Sequence, residues 1–175
     1  MRFLLATLSL SASLSGLFAQ TPAPAAGEPR RAPSFTLMDY TTGQFHDLLD
    51  YRGRVVVLEI MKTSCPHCKM FTGVLEKLKV KHGAKLAVLM VVNPPETPET
   101  MKAYQQETKS TSPLLYDSGQ VAVSYVRSGR IDLPRVYLID AQGMIRGDFS
   151  YGDATKGMFE KGGITAEVDK LIAKK

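Results

Sequence analysis

Two seven-residue apolar runs dominate the hydropathy pattern of this chain. Residues 55–61 (VVVLEIM) and 86–92 (LAVLMVV) have no polar alternation and are rich in β-branched side chains. Such runs predict strands buried on both faces of a sheet that contains parallel pairs. Between them, Met70, Phe71, Val74, Leu75 and Leu78 recur at helical spacing, which predicts a helix over residues 66–81 ending at His82 and Gly83. A strand, helix, strand order implies a right-handed crossover. Residues 97–108 predict a second helix, with Thr97 as cap and Pro98 in its first turn.

Shorter signals fill the rest. Residues 35–39 and 44–46, separated by the polar turn 40–43, predict an N-terminal hairpin, and residues 48–51 a helical turn. Residues 114–116 read as a short strand, 120–126 as a short helix and 127–132 as a loop. Residues 135–140 and 144–151 flank the turn Ala141, Gln142, Gly143 and predict an antiparallel pair. Residues 165–173 close the chain as an amphipathic helix. Met61, Met70 and Met90 read as core filler. Tyr104, Tyr116, Tyr125, Tyr137 and Tyr151 read as packing residues with exposed hydroxyls.

The first 33 residues do not belong to this pattern. Residues 1–19 combine an early Arg2 with an apolar, small-residue stretch ending at Ala19, the pattern of a cleaved secretory signal. Interrupting serines, a threonine and Gly16 make the stretch too short and too polar for the roughly 20 apolar residues of a membrane span. Residues 20–33 carry four prolines and no hydrophobic period, as in an extended tether. The folded domain is expected over residues 34–175, in the periplasm or secreted, with no membrane span after signal cleavage.

Composition narrows the function. The 175 residues carry 22 Lys plus Arg against 17 Asp plus Glu, a net charge of +5 without a basic run, which gives no footprint for nucleic acid. The two cysteines, Cys65 and Cys68, cannot build a disulfide framework and point to redox or metal chemistry. Cys65-Pro66-His67-Cys68 stands directly after a buried strand and opens a helix. There, free N–H groups and the helix dipole stabilise an anion, so Cys65 is the candidate nucleophile. Cys68, one turn inside, is the candidate resolving thiol. A cationic or hydrogen-bond-donating His67 would favour the Cys65 thiolate and make the pair more oxidising. The alternative is a copper or zinc carrier using Cys65, His67 and Cys68. A closed zinc site needs four ligands, however, and His46 and His82 do not form a second pair.

From about Ser34 to Ile172 the chain resembles the thioredoxin superfamily, in particular its extracytoplasmic TlpA-like and redoxin-like thiol-disulfide oxidoreductases. FTLMDYTTGQFHDL is similar to the N-terminal hairpin of that group, VVVLEIMKTSCPHCKM to its central strand and active-site helix, and VAVSYVRSGRIDLPRVYLIDAQGMI to its closing segment. The resemblance implies a three-layer α/β/α fold with a central mixed sheet and an N-terminal β-hairpin extension. It implies a cis peptide bond before Pro134, so that Leu133 and Pro134 form a substrate groove facing the cysteines. It implies that Glu59, six residues before Cys65, is a buried acid able to exchange a proton with Cys68. A buried carboxyl titrates upward, which suits that role. The competing reading is structural, with Glu59 pointing toward an edge or paired with a lysine.

By the same resemblance the partners are cysteine-containing protein substrates and a redox partner protein, with no cofactor; the absence of a second C-x-x-C and of a dimerisation segment in the sequence points to a monomer. Three departures bear on specificity. Ser64 stands where the superfamily usually has Trp. The Thr or Ser at −3 and Pro at −7 of peroxidatic cysteines are absent before both Cys65 and Cys68. Copper-delivery relatives separate their cysteines by three residues, not two.

Overall fold

The computed structural model describes residues 29–126 and 131–174. The signal-like segment 1–19, most of the tether, and part of the 127–132 loop lie outside these residues. Among the described residues eight strands form one mixed sheet: β1 (Arg30–Arg31), β2 (Thr36–Asp39), β3 (Phe45–Asp47), β4 (Val55–Met61), β5 (Leu86–Val92), β6 (Leu114–Tyr116), β7 (Arg135–Ile139) and β8 (Met144–Ser150). Their spatial order is β1-β8-β7-β4-β5-β6-β2-β3. The two apolar runs pair in parallel at its centre, Val55 beside Leu86 through Met61 beside Val92, and β7 runs antiparallel on the other side of β4. Every residue of β4 and β5 is buried.

Alternation within β4 divides the core. Val55, Val57 and Met61 face α1 (Pro66–His82), meeting Cys68, Phe71, Leu75 and Leu78. The same layer holds Met101 and Tyr104 of α2 (Pro98–Thr108), Phe159 of α4 (Lys156–Glu160), and Ile164 and Val168 of α5 (Gly163–Ala173). Val56, Leu58 and Ile60 face the other layer, thinner and made of α3 (Gln120–Tyr125), Phe35 and Leu48. Burying Phe71, Leu75 and Leu78 is worth roughly 1.5–3 kcal/mol each. That burial holds the helix on the sheet and its first turn at the strand ends.

Several boundaries differ from the sequence expectation. The ordered fold begins before Ser34: Arg30 and Arg31 pair with Ile145 and Met144 at one sheet edge, and Ala32 is buried. The Arg30 guanidinium donates to Tyr125 O at 2.8 Å and lies over the Tyr125 and Tyr137 rings, so aromatic faces and a sheet edge fix the end of the tether. Helix α5 starts at Gly163, with Gly162 at φ 81° ahead of it. Helix α4 has no counterpart in the hydropathy pattern, yet its Phe159 is fully buried and meets Phe71 edge-on at 5.1 Å. Met70 is 38% exposed rather than core. Two tyrosine hydroxyls are engaged inside: Tyr104 with Thr72 Oγ1 at 2.5 Å, and Tyr125 donating to Pro33 O at 2.7 Å. Among the described residues no helix is long and apolar enough to cross a membrane.

Candidate active site

The site lies where β4 hands over to α1. Cys65 is the helix N-cap, with extended backbone (φ −80°, ψ 116°), and Pro66 takes the first helical position, where a missing N–H costs no helical bond. The Cys65 sulfur accepts the Cys68 backbone N–H at 3.3 Å. It therefore occupies the place a capping oxygen would take, against the positive end of the helix dipole. Both cysteines are free thiols; Cys65 is half-buried and Cys68 is fully buried.

The loop before β7 approaches from the other side. Leu133 O lies 4.0 Å from Cys65 Sγ, and the Leu133–Pro134 peptide bond is cis. Pro134 is buried and Leu133 half-buried, so the Leu133 backbone forms a wall beside the more accessible thiol. Cys65, Cys68, Leu133 and Pro134, predicted together from sequence, meet here.

Glu59 shares the α1 face of β4 with Val57 and Met61. It is 0% exposed, sits in register between Met90 and Val136, and neither carboxyl oxygen has a hydrogen-bond partner. The lysine-paired reading of Glu59 therefore does not hold. Burial alone pushes its acid well above the ordinary carboxyl range. The Cys68 thiol is also pushed upward, first by burial and then by the Glu59 charge and its hydrogen bond to Cys65. Two groups that each resist losing a proton thus lie within electrostatic reach of one another beneath Cys65. Thr72 ties this layer together, donating to Cys68 O at 3.0 Å while bonded to Tyr104.

His67 is exposed and makes no hydrogen bond to Cys65. Its ring lies flat against Tyr151, with centroids 4.0 Å apart and planes 21° apart. Among the described residues no group of three or more His, Cys, Asp or Glu side chains is arranged to hold a metal ion.

One residue of the site escaped the sequence reading. Glu96, between β5 and α2, accepts the Thr63 backbone N–H at 2.8 Å and the Thr63 hydroxyl at 2.5 Å, and also the Thr100 hydroxyl at 2.8 Å. Its carboxylate thus clamps the chain two residues before Cys65 to the start of α2. The only sequence signal is an acid next to the capping Thr97, and that has many surface explanations.

Comparison with known proteins agrees with this geometry. The chain is 28% identical over 136 residues to the "Thioredoxin-like protein YneN" of Bacillus subtilis, covering 77% of each chain. It is 26% identical over 133 residues to the "Thiol-disulfide oxidoreductase ResA" of Bacillus thuringiensis, covering 75% of this chain and 74% of the relative. Among solved structures it resembles a putative protein disulfide isomerase from Bacteroides thetaiotaomicron, with 25% identity and a TM-score of 0.68 over 85% of this chain and 90% of that one. A putative thiol:disulfide interchange protein DsbE from Chlorobium tepidum shares the fold, with 23% identity and a TM-score of 0.68 over 81% and 95% of the two chains. The profile of the AhpC/TSA family matches residues 29–147, most of the described chain, and the protein belongs to that family.

Proposed function

We propose that this protein is an extracytoplasmic thiol-disulfide oxidoreductase that exchanges a Cys65–Cys68 disulfide or dithiol with cysteines of protein substrates. The observation that carries the reading is the asymmetry of the pair. A half-buried thiol caps a helix beside the Leu133–Pro134 wall, with a fully buried second thiol one turn behind it. The family's relatives named as thiol-disulfide oxidoreductases support it, and the signal pattern of residues 1–19 supports the location.

In the reducing direction the Cys65 thiolate attacks one sulfur of a substrate disulfide. A Cys65–substrate bond forms, the substrate S–S bond breaks, and the departing substrate thiolate takes a proton. Cys68 then attacks Cys65 Sγ, forming the Cys65–Cys68 disulfide and releasing the second substrate thiol. Two electrons pass from the protein dithiol to the substrate, which becomes a dithiol; oxidation of a substrate runs through the same steps in reverse. Burial makes Cys68 reluctant to ionise, so its attack needs a base. Glu59, buried on the same face, takes that proton in its ionised form and returns it when the direction reverses. Leu133 and Pro134 hold the extended substrate segment beside Cys65. The partners are cysteine-bearing proteins and a protein that restores the redox state after each turnover.

Trapping tests this directly. With Cys68→Ala, a disulfide-bearing substrate protein should accumulate as a mixed disulfide on Cys65, visible without reductant and absent in Cys65→Ala. Stoichiometric copper or zinc binding with no thiol exchange would contradict the reading and favour a carrier.

A further inference from the structure

The helix that carries the two cysteines is touched at its first turn by a residue from the far end of β8. Tyr151 follows that strand directly, and three contacts fix it. Its backbone N–H donates to Pro134 O at 3.0 Å, its hydroxyl donates to Glu160 Oε1, and its ring meets Phe159 edge-on at 5.4 Å. Its remaining face carries His67, stacked at 4.0 Å. The cis-proline loop, helix α4 and the side chain between the two cysteines therefore converge on one phenol ring. Because the phenol donates to Glu160, its pKa is pushed up to about 12 and the ring stays neutral.

We infer that Tyr151 is a positioning residue for the redox site: it holds the His67 imidazole against its face and, through that ring, favours the dithiol over the disulfide. The inference rests on the proposed exchange of the Cys65–Cys68 pair. An electron-rich ring face attracts a cation, and the stacked contact at 4.0 Å lowers the entropy cost of keeping the imidazole, charged when it holds a second proton, at the first helical turn. A cation there stabilises the thiolate of Cys65, which exists only in the reduced protein, and so shifts the pair towards oxidising power. The charged groups around the ring are the Cys65 sulfur, Glu160 through the Tyr151 hydroxyl, and Asp153, whose charge also reaches Tyr151.

The test is the equilibrium of the full protein with reduced and oxidised glutathione, read by thiol trapping, with circular dichroism to establish that each variant is folded. An exposed cation–aromatic contact corresponds to a roughly two- to fivefold change in an equilibrium constant. Tyr151→Leu should therefore make the pair more reducing by that factor, about 10–20 mV at 29.6 mV per tenfold for a two-electron couple. Tyr151→Phe keeps the ring and should stay near wild type. In a His67→Gln background Tyr151→Leu should add nothing.

An unchanged or more oxidising Tyr151→Leu protein would overturn the inference. So would an equal shift in the His67→Gln background, or a Tyr151→Phe effect as large as that of leucine, which would assign the effect to the Glu160 bond. If the wild-type pair does not equilibrate with glutathione at all, the proposed exchange itself fails and the inference falls with it. A wild-type protein that equilibrates normally confines any failure to Tyr151.

Discussion

Replacing Glu59 by glutamine should remove a specific pH dependence from the stability of the fold. The carboxyl is fully buried without a partner, and burial holds its pKa in the folded state well above the ordinary value of 4.5. Below that ordinary value both the folded and unfolded states hold the proton, and Glu59 contributes no pH dependence. Above it the unfolded chain releases the proton while the folded chain keeps it, so stability falls as pH rises, until the folded-state value is reached.

The full slope is about 1.4 kcal/mol per pH unit. Between pH 5 and pH 6 the unfolded carboxyl is mostly but not wholly ionised, so the expected loss there is about 1.2 kcal/mol. Glutamine cannot ionise, and every other titrating group is shared by the two proteins. The difference in unfolding free energy, glutamine variant minus wild type, should therefore grow by about 1.2 kcal/mol over this step. Urea unfolding of both proteins with their cysteines reduced would measure it, as a relative midpoint change of about 0.6 M for a slope near 2 kcal/mol/M. A difference that is the same at both pH values would refute the reasoning, because Glu59 would then ionise inside the fold as freely as in water.

Four further outcomes follow from the geometry. Glu59→Gln should also slow release from the mixed disulfide, by about 100-fold if the carboxyl is the base for Cys68, with little effect on the first attack by Cys65; rapid-quench trapping separates the two steps. Glu96→Ala leaves the Thr63 N–H and hydroxyl without their acceptor and should cost roughly 1–3 kcal/mol in urea unfolding. Phe159→Ala removes a fully buried ring packed on Phe71 and should cost about 3–5 kcal/mol, lowering the thermal midpoint by several degrees. Gly143→Ala should destabilise by more than about 1 kcal/mol, because the residue has φ 76° and its new Cβ would fall 1.1 Å from the Arg52 guanidinium.

What could be read from the sequence was what local pattern controls. The runs at Val55–Met61 and Leu86–Val92 gave the central strands with their observed ends, since a nearly continuous apolar run, broken only by Glu59, favours burial on both faces. The three- and four-residue spacing from Met70 to Leu78 gave α1, and its position after a strand placed Cys65 at the cap. The features that were missed depend on residues far away in the chain. Arg30 and Arg31 form a strand only because β8 offers an edge and Tyr125 and Tyr137 offer ring faces. Helix α4 is five residues long, too short for a period, and is held by Phe159. Glu96 acts on Thr63 across a crossover, and Tyr151 reaches His67 from the end of β8. Neither pairing leaves a local trace.

The central claim is that Cys65 and Cys68 work as one two-electron couple. Its most direct measurement is equilibration of the protein in glutathione buffers of graded ratio, followed by alkylation and mass determination of the free thiols. The account predicts that both thiols disappear together over a single transition, and that Cys65→Ala abolishes it. Thiols that stay free throughout the range, or that titrate independently, would contradict it.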